Sequence, residues 1–188
     1  MLNGKEIHMK QKFHKFFWAW DYEKEIRWIN DMAAKGFGLC HVGLCTYWFE
    51  DCAPGEFIYG LELAENSPES TAGREYLSFL SECGTDFVGN WMRWIYLRRK
   101  AADGPFNLHN DLDSKLAHIK RIFSLLLPVI LLNAGSAALN ITVGLSSHRY
   151  ANVWISSLNL SMAILGTVAL IHMGRKIRRM KKERQLHE

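Results

Sequence analysis

Acidic residues all but vanish from the last two fifths of the chain. Residues 115–188 hold 2 Asp/Glu against 11 Lys/Arg, a net of +9, whereas residues 1–114 hold 17 against 12, a net of −5. The overall +4 therefore averages two unlike halves. The acidic half has no Lys/Arg footprint of the kind that phosphates require, so nucleic acid is not an expected partner. A secretory signal is missing too: the first 20 residues lack an apolar core and carry Lys5, Lys10, Lys12 and Lys15.

Charge is absent altogether from residues 122–145, and residues 151–173 have His172 as their only titratable side chain. At a rise of about 1.5 Å per residue, each stretch is long enough to cross a hydrocarbon core of about 30 Å. Both read as transmembrane helices. Neither contains Asp, Glu, Lys or Arg, which argues against an ion-conducting path. Lys115, Lys120 and Arg121 precede the first span, and Arg175, Lys176, Arg178, Arg179, Lys181, Lys182 and Arg184 follow the second, while the loop between them offers Arg149 alone. That asymmetry predicts a two-span hairpin with both termini in the cytoplasm. Arg175, Lys176, Arg178, Arg179, Lys181 and Lys182 are candidate contacts for anionic lipid headgroups.

The small and amide residues of the spans are spaced helically: Asn133, Ser136, Ala137 and Asn140 in the first, Ser156, Asn159, Ala163, Gly166 and Thr167 in the second. Such stripes let helices approach closely and bond across the interface, so Asn133, Ser136, Asn140, Ser156, Asn159 and Gly166 are the expected packing residues, within one hairpin or between two. Pro128 is expected to kink the first span.

The preceding half reads as an α+β domain. Residues 12–20 place Phe16, Trp18 and Trp20 on one parity and Phe17 on the other, which predicts a strand. Asp21 is placed to cap a helix over residues 22–35, with Glu23 and Glu25 in its acidic first turn and Gly36 as terminator. Residues 37–50 and 56–63 read as a hairpin closed by Ala53-Pro54-Gly55 and bulged near Gly43. A second helix over 73–83 ends at Gly84, and residues 85–91 and 93–100 return as strands. Each half runs through an aromatic strand, a helix ending in Gly and a further strand. Two interlocked units of this kind predict a ferredoxin-like βαββαβ sandwich with one sheet face uncovered.

Residues 1–11 read as an extension, 12–110 as the cytoplasmic domain and 111–121 as a connecting helix that starts near Asp111 or Asp113 and enters the first span unbroken. Residues 146–150 form the external loop and 174–188 the basic cytoplasmic tail.

Little in the domain suggests chemistry. Cys40, Cys45, Cys52 and Cys83 match no common zinc spacing even with His41 nearby, so reduced cysteines and no metal or cofactor are expected. Asp21, Glu23 and Glu25 could serve acid–base chemistry with His14 or His41, yet no oriented nucleophile accompanies them, and helix capping and surface charge account for them. Ser114 after Asp113 is accounted for by helix initiation. The tryptophans are the stronger signal. Trp18, Trp20, Trp28, Trp91 and Trp94, with Arg93 among them, are the candidate surface for an anionic or aromatic ligand or for a partner, set against plain core packing.

The run from Asp21 to Gly36 (DYEKEIRWINDMAAKG) resembles the opening signature of a bacterial family, domain of unknown function 2812. Tyr47-Trp48-Phe49-Glu50 with Pro54-Gly55-Glu56-Phe57-Ile58-Tyr59 resembles that family's central hairpin, and residues 91–100, 103–106 and 111–114 its closing segment. Leu97 departs from it, standing where an aromatic is expected. The resemblance covers about residues 12–122. It implies a bacterial cytoplasmic domain often followed by transmembrane helices and often encoded beside a transcriptional regulator; it implies no activity. Met9 stands just before this region, so residues 1–8 read as a disordered extension or as lying upstream of the true start.

The function these features predict is non-enzymatic: a membrane-tethered sensor or adaptor that binds a small ligand or a regulator protein. The alternative is an accessory subunit of a membrane transport complex. Expected partners are membrane lipids, with a second copy (through the exposed sheet face or the hairpin), a transcriptional regulator or another membrane protein beside them.

Overall fold

The computed structural model describes residues 10–106, 112–147 and 150–187. The N-terminal extension, the stretch containing Asp111 and the loop residues His148 and Arg149 lie outside these. The chain divides into two compact units, Met1–Leu108 and His109–Glu188.

The first unit is α+β. Strand β1 (Gln11–His14) leads through a 3-10 turn (Ala19–Asp21) into helix α1 (Tyr22–Ala34), followed by β2 (Phe37–Gly43), β3 (Thr46–Asp51), β4 (Phe57–Leu63), helix α2 (Thr71–Glu82), β5 (Asp86–Trp91) and β6 (Trp94–Lys100). Hydrogen bonding closes two antiparallel three-stranded sheets, in the orders β1-β3-β2 and β4-β6-β5. The ferredoxin-like reading predicted one four-stranded sheet. It also paired residues 37–50 with 56–63. Instead β2 pairs with β3 through a two-residue turn at Leu44-Cys45, and β4 pairs with β6. The turn carries a left-handed Cys45 (φ 51°), a conformation that favours glycine or asparagine, so its sequence hides it. The bulge sits at Cys40, between Leu39 and His41, and not near Gly43. The first strand is shorter than residues 12–20. Asp21 N–H donates to the Trp18 carbonyl at 2.8 Å and turns the chain into α1.

The internal repeat survives in a different form. Each half is β-α-β-β, and Gly84 follows Gly36 by 48 positions. The same offset relates the bulges at Leu39/His41 and Phe87/Gly89 and the hairpin ends Gly43↔Thr46 and Trp91↔Trp94. Both glycines have positive φ, 89° and 76°, which is what ends α1 and α2. The halves share one core: Ile29, Met32 and Ala33 of α1 pack with Leu39 and Val42 of β2, Tyr47 and Phe49 of β3, Tyr59 and Leu61 of β4 and Tyr96 of β6. The strands β2 and β5 run close, since a Cβ on Gly89 would lie 3.4 Å from Val42 Cγ2. On its other face the second sheet buries Ile95 and Leu97 under Tyr76, Leu77 and Leu80 of α2. Both faces of that sheet are therefore covered. The outer face of the first sheet carries Trp48 in contact with the His41 ring (4.8 Å) and under the Lys12 ammonium (5.4 Å).

The second unit is two helices, α3 (Leu112–Ser146) and α4 (Tyr150–His187). Both are long and apolar enough to cross a membrane. Pro128 lies inside α3, which continues on either side of it. From Leu116 to Gly144 on α3, and from Asn152 to Met180 on α4, buried and half-buried residues recur at alternating steps of three and four. This is the spacing of a left-handed pair. Ile130 faces Gly166, where a Cβ would come within 2.4 Å of Ile130 Cγ1, and Asn159 Nδ2 donates to Ser136 Oγ at 2.9 Å. Those contacts make the helices antiparallel.

Candidate functional site

Three elements converge on one carboxylate. Glu25 stands four residues before Ile29 and seven before Met32, so it lies on the buried stripe of α1 and keeps 8% of its surface. Tyr47 shares the inward parity of β3 with Phe49, and Tyr96 is the residue of β6 that faces this core while Ile95 and Leu97 face α2. The Tyr47 hydroxyl donates to Glu25 Oε1 at 2.7 Å and the Tyr96 hydroxyl to the same atom at 2.5 Å. The carboxylate thereby joins α1 to both sheets.

Burial pushes the Glu25 carboxyl above the ordinary carboxylate range, and the Tyr96 and Tyr47 hydroxyls oppose the shift. Burial also drives both phenols upward, with the Glu25 charge adding to it, so they remain donors throughout the accessible pH range. Expecting Glu25 to be a surface acid was wrong: the acidic first turn of α1 includes a residue that the apolar stripe carries inward.

Aromatic rings pack on Tyr47, one of the two residues that hold the carboxylate. Trp28 meets Tyr47 edge-on at 4.9 Å, and Phe17 lies 5.8 Å from Trp28 and 6.3 Å from Tyr47. The ammonium of Lys15 sits over these rings, 4.6 Å from the Trp28 centroid and 5.1 Å from that of Phe17. The Lys15 backbone is held beside the β2–β3 turn, its N–H donating to the Cys45 carbonyl at 3.1 Å.

The six residues expected to form one surface are dispersed. Trp28 belongs to the Glu25 cluster. Trp18 and Trp20 stack on each other at 4.8 Å and 5°, with Phe16 edge-on to Trp18. Trp94 packs against Tyr22 at 5.9 Å, and Trp91 is exposed. Arg93 is not a free cation: its Nε and Nη2 donate to the Ala64 carbonyl at 2.9 and 2.7 Å, and Nη2 also to that of Glu65 at 2.7 Å. It pins the loop after β4. Asp21 makes no side-chain cap, pairing instead with Lys24 at 2.7 Å. His14 contacts Thr46 Oγ1 at 3.3 Å, and His41 lies on Trp48. Cys40, Cys45, Cys52 and Cys83 are free thiols. Among the described residues no three His, Cys, Asp or Glu side chains are grouped to hold a metal ion.

In the second unit Asn133 donates to the Val129 carbonyl at 2.8 Å and Asn140 to the Ser136 carbonyl at 2.8 Å. Ser156 is buried, its hydroxyl on the Val153 carbonyl, and Gly166 is closed over by Ile130. Arg175, Lys176, Arg178, Arg179, Lys181 and Lys182 all lie within α4, which runs through them to His187.

Sequence reasoning passed over Glu25, Tyr47, Tyr96, Phe17 and Lys15 as a group. The stripe of α1 was the available signal for Glu25; nothing local points from Tyr96 to a residue 71 positions earlier.

No curated protein matches the chain, and no solved structure does. The model of a family described as protein of unknown function (DUF2812) matches residues 21–131, from the turn before α1 through the first half of α3. With more than half of its length matched, including the helix that supplies Glu25 and both strands that supply its tyrosines, the chain belongs to the DUF2812 family.

Proposed function

We propose that this protein is a membrane-tethered binding module. Its first unit recognises a small ligand or a regulator protein, its paired helices span the bilayer, and no chemistry is performed. The observation that carries the tether is the distribution of side chains on α3 and α4. Leu132, Leu139 and Trp154 are 73%, 70% and 77% exposed, while the faces between the helices admit Asn, Ser, Ala and Gly beside Ile130. In water that arrangement forfeits the burial of large apolar side chains; in lipid it is favourable. Each apolar helix of 34 residues extends about 50 Å at about 1.5 Å per residue, enough for a core of about 30 Å with length to spare.

Antiparallel pairing brings both ends of the hairpin to one side, and the flanking cations favour the cytoplasm for that side. The basic end of α4 then lies at the headgroups, where each nearby Lys or Arg adds about 1 kcal/mol of attraction to anionic lipid. Recognition by the first unit is supported by exposed Phe16, Trp91 and Met92 and by the Glu25 carboxyl that Tyr47 and Tyr96 hold. The alternative, an accessory subunit of a transport complex, drew on the polar stripes of the helices. Ser136, Asn140 and Asn159 bond within the hairpin, which leaves that reading without its main support.

A thiol-labelling experiment tests the tether. Ser147→Cys should react with a membrane-impermeant maleimide in intact cells, whereas Cys83, the exposed native cysteine, should react after lysis. Labelling of Cys83 in intact cells would refute the orientation. Purification in mild detergent tests the module: recovery of transport subunits alone would refute it.

A further inference from the structure

We infer that the Glu25 carboxylate is a binding site for an organic cation, an ammonium carried on an apolar body, and that Lys15, seated over the rings beside Tyr47, is an internal stand-in. The inference rests on reading the first unit as a binding module and names what it binds.

The carboxylate is half used. Both tyrosine hydroxyls fall on Oε1. Oε2 takes no hydrogen bond among the described residues, although the side chain is more than nine-tenths buried. Nor is Oε2 sealed away, because the one sealed side-chain atom without a partner among those residues is Arg99 Nε. Oε2 is the acceptor left over on a carboxyl that Tyr47 and Tyr96 hold in place, and a cation there relieves the cost that burial puts on the ionised form. Tyr47 and Tyr96 fix the carboxylate so that its free oxygen is preset.

The rings beside Tyr47 have the matching chemistry. The ring faces of Trp28 and Phe17 attract positive charge through their quadrupoles, and a cation already lies over both at 4.6 and 5.1 Å. That cation is exposed Lys15, and no ion pair joins it to Glu25 among the described residues. The Lys15 ammonium rests on the rings that pack on Tyr47 and makes no ion pair with the carboxylate. A ligand that takes its place over the rings and reaches Oε2 satisfies both halves at once. Lys15 swings out on its flexible stem while its backbone stays fixed at the β2–β3 turn.

The sign of the Lys15 effect separates this site from an anion site. The test uses the full chain in detergent micelles, with phenethylammonium as the cation and 3-phenylpropionate as its anionic counterpart, followed by tryptophan emission and calorimetry. Partition into micelles is subtracted with micelles alone. The cation should bind saturably, Glu25→Gln should weaken it about ten-fold or more, since charged hydrogen bonds are worth about 1.5–3 kcal/mol, and Lys15→Met should tighten it. Glu25→Gln preserves the acceptor for both hydroxyls; an unchanged circular dichroism spectrum and unfolding midpoint below pH 5 show that it folds. Weakening by Lys15→Met, or saturable binding of the phenylpropionate in place of the cation, would overturn the cation inference and leave the binding-module reading standing. No saturable binding of either ion would overturn it as well, while the module reading is decided separately by what co-purifies.

Discussion

The two units of this chain expose opposite kinds of residue. The first closes Ile29, Leu39, Phe49 and Leu97 inside and turns most of its charges outward, and the carboxylates it does admit lie under tyrosine hydroxyls: Glu25 under Tyr47 and Tyr96, Glu62 under Tyr76. The second turns leucines outward and admits asparagine, serine and glycine beside Ile130 and alanines between its helices. The same twenty side chains obey one rule in both places, which is to hide from the surrounding solvent whatever that solvent solvates poorly. In the first unit the solvent is water; in the second, on our proposal, it is lipid, where polar contacts between helices supply part of the attraction that the hydrophobic effect supplies in water.

Substitutions that exchange the two rules test the contrast. The largest effect is expected in the core of the first unit. Phe49→Ala opens a cavity among Phe13, Trp28 and Leu39 and should remove about 3–5 kcal/mol from its stability, read by urea unfolding. Next comes a charge on the outward face of the hairpin. Leu132→Lys should cost about 2.5–3.5 kcal/mol of membrane insertion, measured as the inserted fraction in microsomes. The corresponding charge on exposed Glu75 of α2, as Glu75→Lys, should change unfolding by less than about 0.5 kcal/mol. Equal effects at the two sites would break the contrast.

A third prediction sharpens the exception within the first unit. Tyr96→Phe removes one of the two bonds to Glu25 and should cost about 1–3 kcal/mol. The pH dependence has a definite sign. Because the folded carboxyl titrates above its ordinary value of 4.5, the folded state holds its proton longer than the unfolded chain does. Stability is then fully present below 4.5 and falls as pH rises from there through the raised value. Glu25→Gln should abolish that decline in the pH dependence of the unfolding midpoint. The smallest effect is expected in the seam of the hairpin: Asn159→Leu, which loses the bond to Ser136, should weaken helix pairing by about 0.6 kcal/mol in a steric-trap measurement.

Some of this was legible before any coordinates and some was not, and the division is physical. The helix α1 was readable to within a residue at its end because its apolar stripe and the terminating Gly36 are local. The two apolar helices were readable because hydropathy is a property of consecutive residues. Strand pairing was not. The Leu44-Cys45 turn has no glycine, and its left-handed Cys45 leaves no mark, so residues 37–50 looked like one strand and acquired the wrong partner. Arg93 looked like a receptor for anions because its carbonyl partners lie 28 and 29 residues away. Glu25 lay between these cases: its place on the stripe was visible, yet an acid in a first turn has so ready an account that the stripe was not followed to its end.

The repeat of 48 positions has a consequence for stoichiometry. The counterpart of Glu25 in the second half is Gly73, where an added Cβ would stand 1.9 Å from the Ser67 carbonyl oxygen. No residue but glycine fits there. A duplicated scaffold ordinarily offers duplicated seats; this one has given up the second, and its titration curve should reach its plateau at one equivalent per chain.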